Sequence, residues 1–391
     1  MHLLISLLAS AFIAGAPLPP WQEGCLDIHA INSGRGECTF FILPDGTTML
    51  VDAGEFVPAT QKYPFVPQKP HEGVRPYEVY VRYIKHFMPA ASRGALDYAV
   101  ITHYHIDHTG KQEKDMVPDP ERGYVLTGIS GVESEIPIRR LVDRAWPRFE
   151  ESLLENSSKN IDFYPAFVRY ACRHDGMKAE AMEVGSRKQL RLRHHPCRYR
   201  NFSIFNYAAS GIIWDGSKKT DAYEGQKMRE NGASCCFLLS YGDFDYYTGG
   251  DAGGNSPVEV PVARAIGRPI EALKANHHLS YYTMKDETMR ILQPEVIVTQ
   301  GFTVRDIQPD YTIVDRILSD ELYPGRKYMY FTNLGQQQLE AHKDVYSRAA
   351  GIGGHVVIRV MPGGKEYFVY LLDDTDFEYH IISVDGPFKC K

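Results

Sequence analysis

The apolar run Ala95-Leu96-Asp97-Tyr98-Ala99-Val100-Ile101 leads directly into Thr102-His103-Tyr104-His105-Ile106-Asp107-His108-Thr109-Gly110. The first part reads as a buried strand. The second sets four metal-capable side chains, His103, His105, Asp107 and His108, within six residues. Neutral imidazole suits zinc and other transition metals, and a carboxylate adds charge and hardness. A strand that ends in such a cluster constrains the fold strongly, because the ligands must meet partners brought from elsewhere. Val79, Tyr83, Ile84 and Phe87 recur at helical spacing, so Tyr77 to Met88 is expected to be a helix. The unit is then strand, helix, strand, with ligands at a C-terminal strand end, where layered α/β proteins carry their sites.

Three other segments share this design. Thr48-Met49-Leu50-Val51-Asp52-Ala53-Gly54, Tyr247-Thr248-Gly249-Gly250-Asp251 and Leu273-Lys274-Ala275-Asn276-His277-His278 each run from apolar residues into a polar end. Their order and separation, with the His-rich segment second, resemble the metallo-β-lactamase superfamily. The likeness spans about Leu26 to Thr299. Three further details resemble the hydrolase domain of bacterial competence DNA-uptake proteins and its secreted relatives. They are the glycine-rich turn Ile31 to Ile42, the run Asn231 to Leu239, and the doubled His277-His278 before Leu279-Ser280, where Leu279 departs from glycine.

The resemblance implies an α/β fold, the superfamily's αβ/βα sandwich, with an inserted and mostly helical or loop segment at about 111–201. It implies that His103 and His105 hold one metal ion, that Asp107, His108 and His277 hold a second, and that Asp251 bridges. Asp52 would stand behind the ligands and orient a histidine ring through its other nitrogen. Consecutive strand residues face opposite ways, so His277 is taken as the ligand and His278 as a catalytic contact to substrate or leaving group. Asp107 is the other catalytic candidate, as a base when the second position is empty. The superfamily's usual histidine roughly twenty residues before the bridging Asp is missing, and counting back from Asp251 lands at Asn231 and Gly232. Asn231 is the candidate replacement, and the first position is expected to be the weaker one. Zinc, as one or two ions, is the expected cofactor, with manganese as the alternative.

The expected activity is that of a secreted hydrolase using a metal-bound hydroxide, with a phosphodiester or nucleic acid as substrate. A hydrolase for a small ester, lactone or amide and a non-catalytic metal-binding module are the alternatives. Net charge of −6 supplies no global basic field for nucleic acid. Arg187 to Arg200 is a local basic strip that reads as a solvated face.

Residues 1–16 are short, apolar and end in Ala14-Gly15-Ala16, the form of a secretory signal peptide. That puts the protein outside the cytoplasm, with 17–391 as one domain. No later segment is long and apolar enough to span a membrane. Seven cysteines leave at least one unpaired, and Cys172 with Cys197 is the pair expected to close the insertion. Helices are expected near Ile138 to Leu154 and Asp162 to Cys172, and the aromatics of this stretch either cover the site or fill a local core. Strands at about 355–385 would complete a sheet.

Overall fold

Successive residues of the early strands face opposite ways, and both faces are apolar, so each sheet must be covered on two sides. The computed structural model describes residues 14–56, 66–148, 162–253, 256–301 and 308–391. Its first sheet takes β1 (Leu26–Ala30), β2 (Thr39–Ile42), β3 (Thr48–Val51), β4 (Tyr98–Ile101), β5 (Arg140–Asp143) and β6 (Lys178–Ala181). The second takes β7 (Phe202–Ala209), β8 (Ile212–Trp214), β9 (Lys219–Asp221), β10 (Cys236–Tyr241), β11 (Phe244–Thr248), β12 (Ala272–Lys274), β13 (Val296–Thr299), β14 (Tyr328–Phe331) and β15 (Gly351–Ile352). The chain then returns to the first sheet with β16 (His355–Val360), β17 (Glu366–Leu372) and β18 (Ile381–Lys389). The spatial orders are 18-17-16-1-2-3-4-5-6 and 15-14-13-12-11-10-7-8-9.

Between the sheets lie Leu26, Ile28, Phe41, Met49 and Val100 from one side and Phe237, Leu239, Tyr246 and Val296 from the other. The opposite face of the first sheet, with Phe40, Leu50, Ala99 and Ile101, is covered by α1 (Pro76–Phe87), α3 (Gly128–Glu135) and α4 (Phe163–His174). Between α1 and α3 in the chain comes α2 (Ile106–Thr109), a single turn in the metal-capable segment. Helices α5 (Glu259–Ile266), α6 (Asp286–Leu292) and α7 (Tyr311–Leu318) cover the far face of the second sheet. The result is the αβ/βα sandwich that the resemblance implies.

Local chemistry explains the helices. Pro76 opens α1, where its missing N–H costs nothing, and Val79, Tyr80, Tyr83 and Ile84 form the buried stripe. Each such side chain contributes about 1.5–3 kcal/mol when buried. Asp310 caps α7 by accepting from the backbone N–H groups of Thr312 and Ile313.

Three expectations need correction. Ile138 to Leu154 does not form a helix: Arg140–Asp143 is β5, paired in parallel with β4 and β6, and residues 149–154 lie outside the described residues. Leu141 and Val142 alone make the apolar signal there, too short to separate strand from helix. The stretch 111–201 therefore contributes two strands to the first sheet as well as α3 and α4. Cys172 and Cys197 are both free, as are the other five cysteines. Cys235 packs between the sheets and Cys236 on the outer side of the second, the opposite faces expected of strand neighbours. The aromatics Phe163, Tyr164 and Phe167 fill the core beneath α4; Phe149 lies outside the described residues.

Residues 1–13 of the expected signal segment are outside the described residues. Gly15 N donates to Ile381 O at 2.7 Å and Ile381 N to Ala16 O at 2.8 Å, so cleavage after Ala16 would remove two backbone bonds beside β18. No helix among the described residues is long and apolar enough to cross a membrane.

Candidate metal centre

Strands β3, β4, β11 and β12 end on the same edge of the sandwich, and each passes its next few residues into one buried cluster. The segment after β4 can approach the end of β3 because residue 54 is glycine; a Cβ there would overlap the Asp107 carbonyl. Gly250, with φ +52°, similarly lets the turn after β11 pass against Thr102.

Asp52 organises the histidines. Its Oδ1 accepts from Thr102 N at 2.8 Å. Its Oδ2 accepts from His108 Nδ1 and from the Thr102 hydroxyl, each at 2.7 Å. The Thr102 oxygen in turn lies 3.1 Å from His103 Nδ1. A donor at Nδ1 leaves the Nε2 lone pair of both rings available. His278 follows the same rule, with Nδ1 3.0 Å from Gln300 O. His277 Nδ1 lies 2.8 Å from Ser280 Oγ.

These four Nε2 atoms converge on one oxygen. Asp251 Oδ2 lies 3.2 Å from His108, 3.4 Å from His278 and 3.7 Å from both His103 and His277. Yet His108 Nε2 and both Asp251 oxygens are buried and make no hydrogen bond. Buried polar atoms of this kind are almost always satisfied. His105 Nδ1 stands 3.1 Å from His103 Nε2. His278 Nε2 is also 3.3 Å from Asp107 Oδ2. Two tight donor groups result: first His103, His105 and Asp251, and second Glu37, His108, Asp251 and His278.

The electrostatics are those of a cation site. Four carboxylates, Glu37, Asp52, Asp107 and Asp251, meet in the cluster with one ammonium, Lys274, whose Nζ lies 2.9 Å from Glu37 and 3.5 Å from Asp251. Burial would drive the proton off His108, but Asp251, Asp52 and Glu37 hold its imidazolium well above the usual histidine range. His278, against burial, is likewise held up to about 9 by Asp251 and Asp107. Burial wins at His103, which is pushed far down, and at His277, pushed down to about 4. Glu37 is pushed up by burial, opposed by Lys274. A surplus of buried negative charge with open imidazole nitrogens fits divalent metal, and mixed nitrogen and oxygen donors fit zinc or manganese.

Of the site residues expected from sequence, His103, His105, Asp107, His108, Asp251, His277 and His278 all meet here, and Asp52 stands behind them. Asn231 is also present, its Nδ2 3.1 Å from His277 Nε2. His278, read as a catalytic contact, sits inside the second donor group, while His277 faces Asn231 and the cavity. Glu37, Thr102 and Lys274 are additions the sequence did not mark as site residues. A further ion pair holds the loop from below: Arg144 binds both oxygens of Glu230 at 2.6 and 2.8 Å, and Glu230 Oε1 accepts from Tyr104 N at 2.8 Å.

A cavity of about 140 Å³ opens beside this cluster, bounded by His105, Tyr223, Arg229, Asn231, Ser256 and Tyr282. No described residue of 111–201 bounds it, so the wall expected from that stretch comes instead from Tyr223, the stretch 229–232, Gly253, Ser256 and Tyr282.

No family model matches the chain, and no curated protein matches it. Solved structures do. One is Zn(2+)-bound PqqB from Methylobacterium extorquens, at 12% identity over 85% of this chain and 99% of that one, with a TM-score of 0.35. Human tRNase Z, short form, gives 10%, 80%, 94% and 0.32. CmlA, a diiron β-hydroxylase from Streptomyces venezuelae, gives 11% identity, 88% of this chain and a TM-score of 0.39; the match spans 55% of that longer chain. At these identities and scores the likenesses add nothing about activity to what the geometry says.

Proposed function

We propose that this chain is a metal-dependent hydrolase of the metallo-β-lactamase type, and that its substrate is a phosphodiester. The observation that carries the reading is the convergence of four imidazole Nε2 atoms within 3.7 Å of one Asp251 oxygen that makes no hydrogen bond. Burial keeps His103 and His277 neutral, and their lone pairs repel a carboxylate oxygen at such distances. A cation among them turns the repulsion into ligation.

His103, His105, Asp107, His108, Asp251 and the two adjacent histidines would hold the metal, with zinc as first choice and manganese as second. A divalent ion there supplies Lewis acidity, making water nucleophilic at neutral pH and offsetting charge on phosphoryl oxygens. The protein's own groups do the rest. Asp107 is the most exposed of the cluster's carboxylates, with a side-chain exposure of 20% against 2% or less for Glu37, Asp52 and Asp251. It would act as a base toward an incoming nucleophile only with the second metal position empty, and as a ligand with that position filled. Asn231, Tyr282 and Arg229 bound the cavity and would orient an anionic substrate against the cluster. Burial of the remaining ligands excludes bulk water from the reacting side.

Secretion by the segment 1–16, and kinship with the competence-type hydrolases, belong to this proposal. The turn Ile31 to Ile42 and the Asn231 to Leu239 run support the kinship.

The test uses the chain from Pro17 onward, with metal measured by elemental analysis. The substrates are bis-p-nitrophenyl phosphate and single-stranded DNA, and Asp107→Ala is the control. Bound metal with phosphodiester cleavage that disappears in the variant is expected. Metal-loaded protein that hydrolyses p-nitrophenyl acetate or a lactone but no phosphodiester would replace the substrate class. A folded chain that takes up neither zinc nor manganese would end the hydrolase reading.

A further inference from the structure

The doubled histidine sits on backbone that a strand would not supply. After Lys274 ends β12, His277, His278 and Leu279 take φ of 46°, 51° and 61° in succession. That left-handed region is unfavourable for residues carrying side chains, and three in a row need external support. It is present: His277 N donates to Gly250 O, Ser280 N to His277 O and Asp310 N to Leu279 O, with Leu279 buried. Continued as a strand, the two rings would point to opposite sides. The left-handed turn brings both toward Asp251.

The rings then part company. His278 faces Glu37, Asp107 and His108, the second donor group. His277 faces the other way. Its Nε2 meets Asn231 Nδ2 at 3.1 Å and Gln308 Nε2 at 3.0 Å, and its ring packs on Tyr282 at 5.1 Å between centroids. Asn231 and Tyr282 bound the same cavity as His105. Nδ1 is taken up by Ser280, so the lone pair lies on Nε2, directed at Asp251 and at two amides. Asn231 Oδ1, on the amide that stands where the usual central histidine is missing, is buried without a hydrogen bond. A half-turn of that amide exchanges its oxygen and nitrogen and would put the oxygen beside His277 Nε2.

We propose that His277 takes the place of the missing histidine at the first metal position. It would join His103 and His105 there, with the Asn231 oxygen beside it, while His278 completes the second position with Asp107 and His108. The doubled histidine would therefore complete the donor sets for two ions, both of which include Asp251. This rests on the metal-hydrolase reading above and deepens it, replacing the expectation of a weaker first position.

The experiment strips the full-length protein with a chelator and titrates it with cobalt(II), followed by visible absorption and by elemental analysis after gel filtration. The wild type is expected to take two equivalents with distinguishable spectra. His277→Ala should keep one, with the first-position ion weakened at least about tenfold. His278→Ala should lose the other spectrum. His277→Ala combined with Asn231→His should recover two equivalents, a rescue that a merely structural role for His277 would not give. Circular dichroism shows which variants are folded, and His103→Ala identifies the first-position spectrum independently of either doubled histidine. One equivalent in the wild type, two unchanged equivalents in His277→Ala, or the same spectrum lost from both single variants would overturn the proposal. Two equivalents without phosphodiester cleavage would leave it standing and remove only the substrate reading.

Discussion

Among the described residues, two buried clusters of carboxylate and histidine have opposite character. One lies on the outer face of the first sheet beneath α1, where Asp27 and Arg359 face each other across β1 and β16. Arg359 binds both Asp27 oxygens at 2.8 and 2.6 Å, His29 Nδ1 lies 2.9 Å from Tyr83 OH, and Asn32 N donates to His355 Nδ1 at 3.0 Å. The other is the metal centre. Burial and residue types are alike; the counter-charge differs. Asp27 has a guanidinium of its own, whereas Asp251 shares the Lys274 ammonium, at 3.5 Å, with Glu37, and among four imidazole nitrogens it makes no hydrogen bond. Buried charge completed by the protein is scaffold; buried charge left for something else to complete is a site.

The largest contrast should appear on removing the central carboxylate of each. Asp251→Asn is expected to lower phosphodiester hydrolysis by about 10³-fold, since several kcal/mol of Lewis-acid stabilisation go with the metal and each 1.36 kcal/mol is tenfold. Normal metal content in Asp251→Asn would erase the distinction drawn here. Arg359→Ala should do the reverse. It leaves Asp27 buried and unpaired, at about 3–5 kcal/mol of stability in urea unfolding. Metal bound per folded molecule should match the wild type, and a drop would join the two clusters into one system.

Acid sharpens the same comparison. Burial would raise the Asp27 pKa, but Arg359 outweighs it and holds the carboxyl down at about 2. A depressed carboxyl contributes stability that is complete above its unfolded value, near 3.9, and is lost as pH falls through the folded value. Between about pH 4 and 2 the wild type should therefore lose about 2 kcal/mol that Asp27→Asn does not. Paired urea titrations at pH 5 and 2.5 measure this. An unchanged gap between the two proteins would mean that the ion pair is not what holds Asp27.

The sequence showed the two clusters unequally. His103 to His108 stood out because four ligand types crowd six residues, and Asp251 and the doubled histidine because apolar strands run into them. Glu37 did not, since it sits in a glycine-rich turn and its partner Lys274 arrives from the second sheet. Thr102 looked like a spacer because its role, relaying Asp52 to His103, exists only once the end of β3 is beside it. Strand alternation allowed one of the adjacent histidines into the site, and the left-handed turn at 277–279 overrides alternation locally. Strand β5 was missed because two buried apolar residues carry no period. The sandwich itself came from the resemblance, since the pattern of strands and helices alone supported only a mixed α/β fold. The Asp27 cluster was invisible: Asp27 and His29 alternate with apolar residues as any solvent-facing strand residues would, and only α1 shows that this face is buried.

The finest test asks how far the incompleteness of the metal centre extends behind its ligands. Asp52 touches no substrate-facing group, but it fixes Thr102 and, through Nδ1, the ring of His108. Asp52→Asn keeps the size of the side chain and an oxygen for Thr102 N. An asparagine also tolerates the φ of 60° that residue 52 adopts. What it loses is the charge that favours an Nδ1 donor on His108, and with it part of the basicity of Nε2. Metal affinity should fall about 10- to 100-fold, the usual cost of removing a carboxylate behind a metal-ligating histidine. The loss should fall on the ion held by His108 and His278 more than on the ion held by His103 and His105, because Thr102 stands between Asp52 and His103. Cobalt titration resolves the two. Equal weakening of both ions would mean that Asp52 acts through the field of the whole cluster, and no weakening would place it with Asp27, as a carboxylate that the protein has already completed.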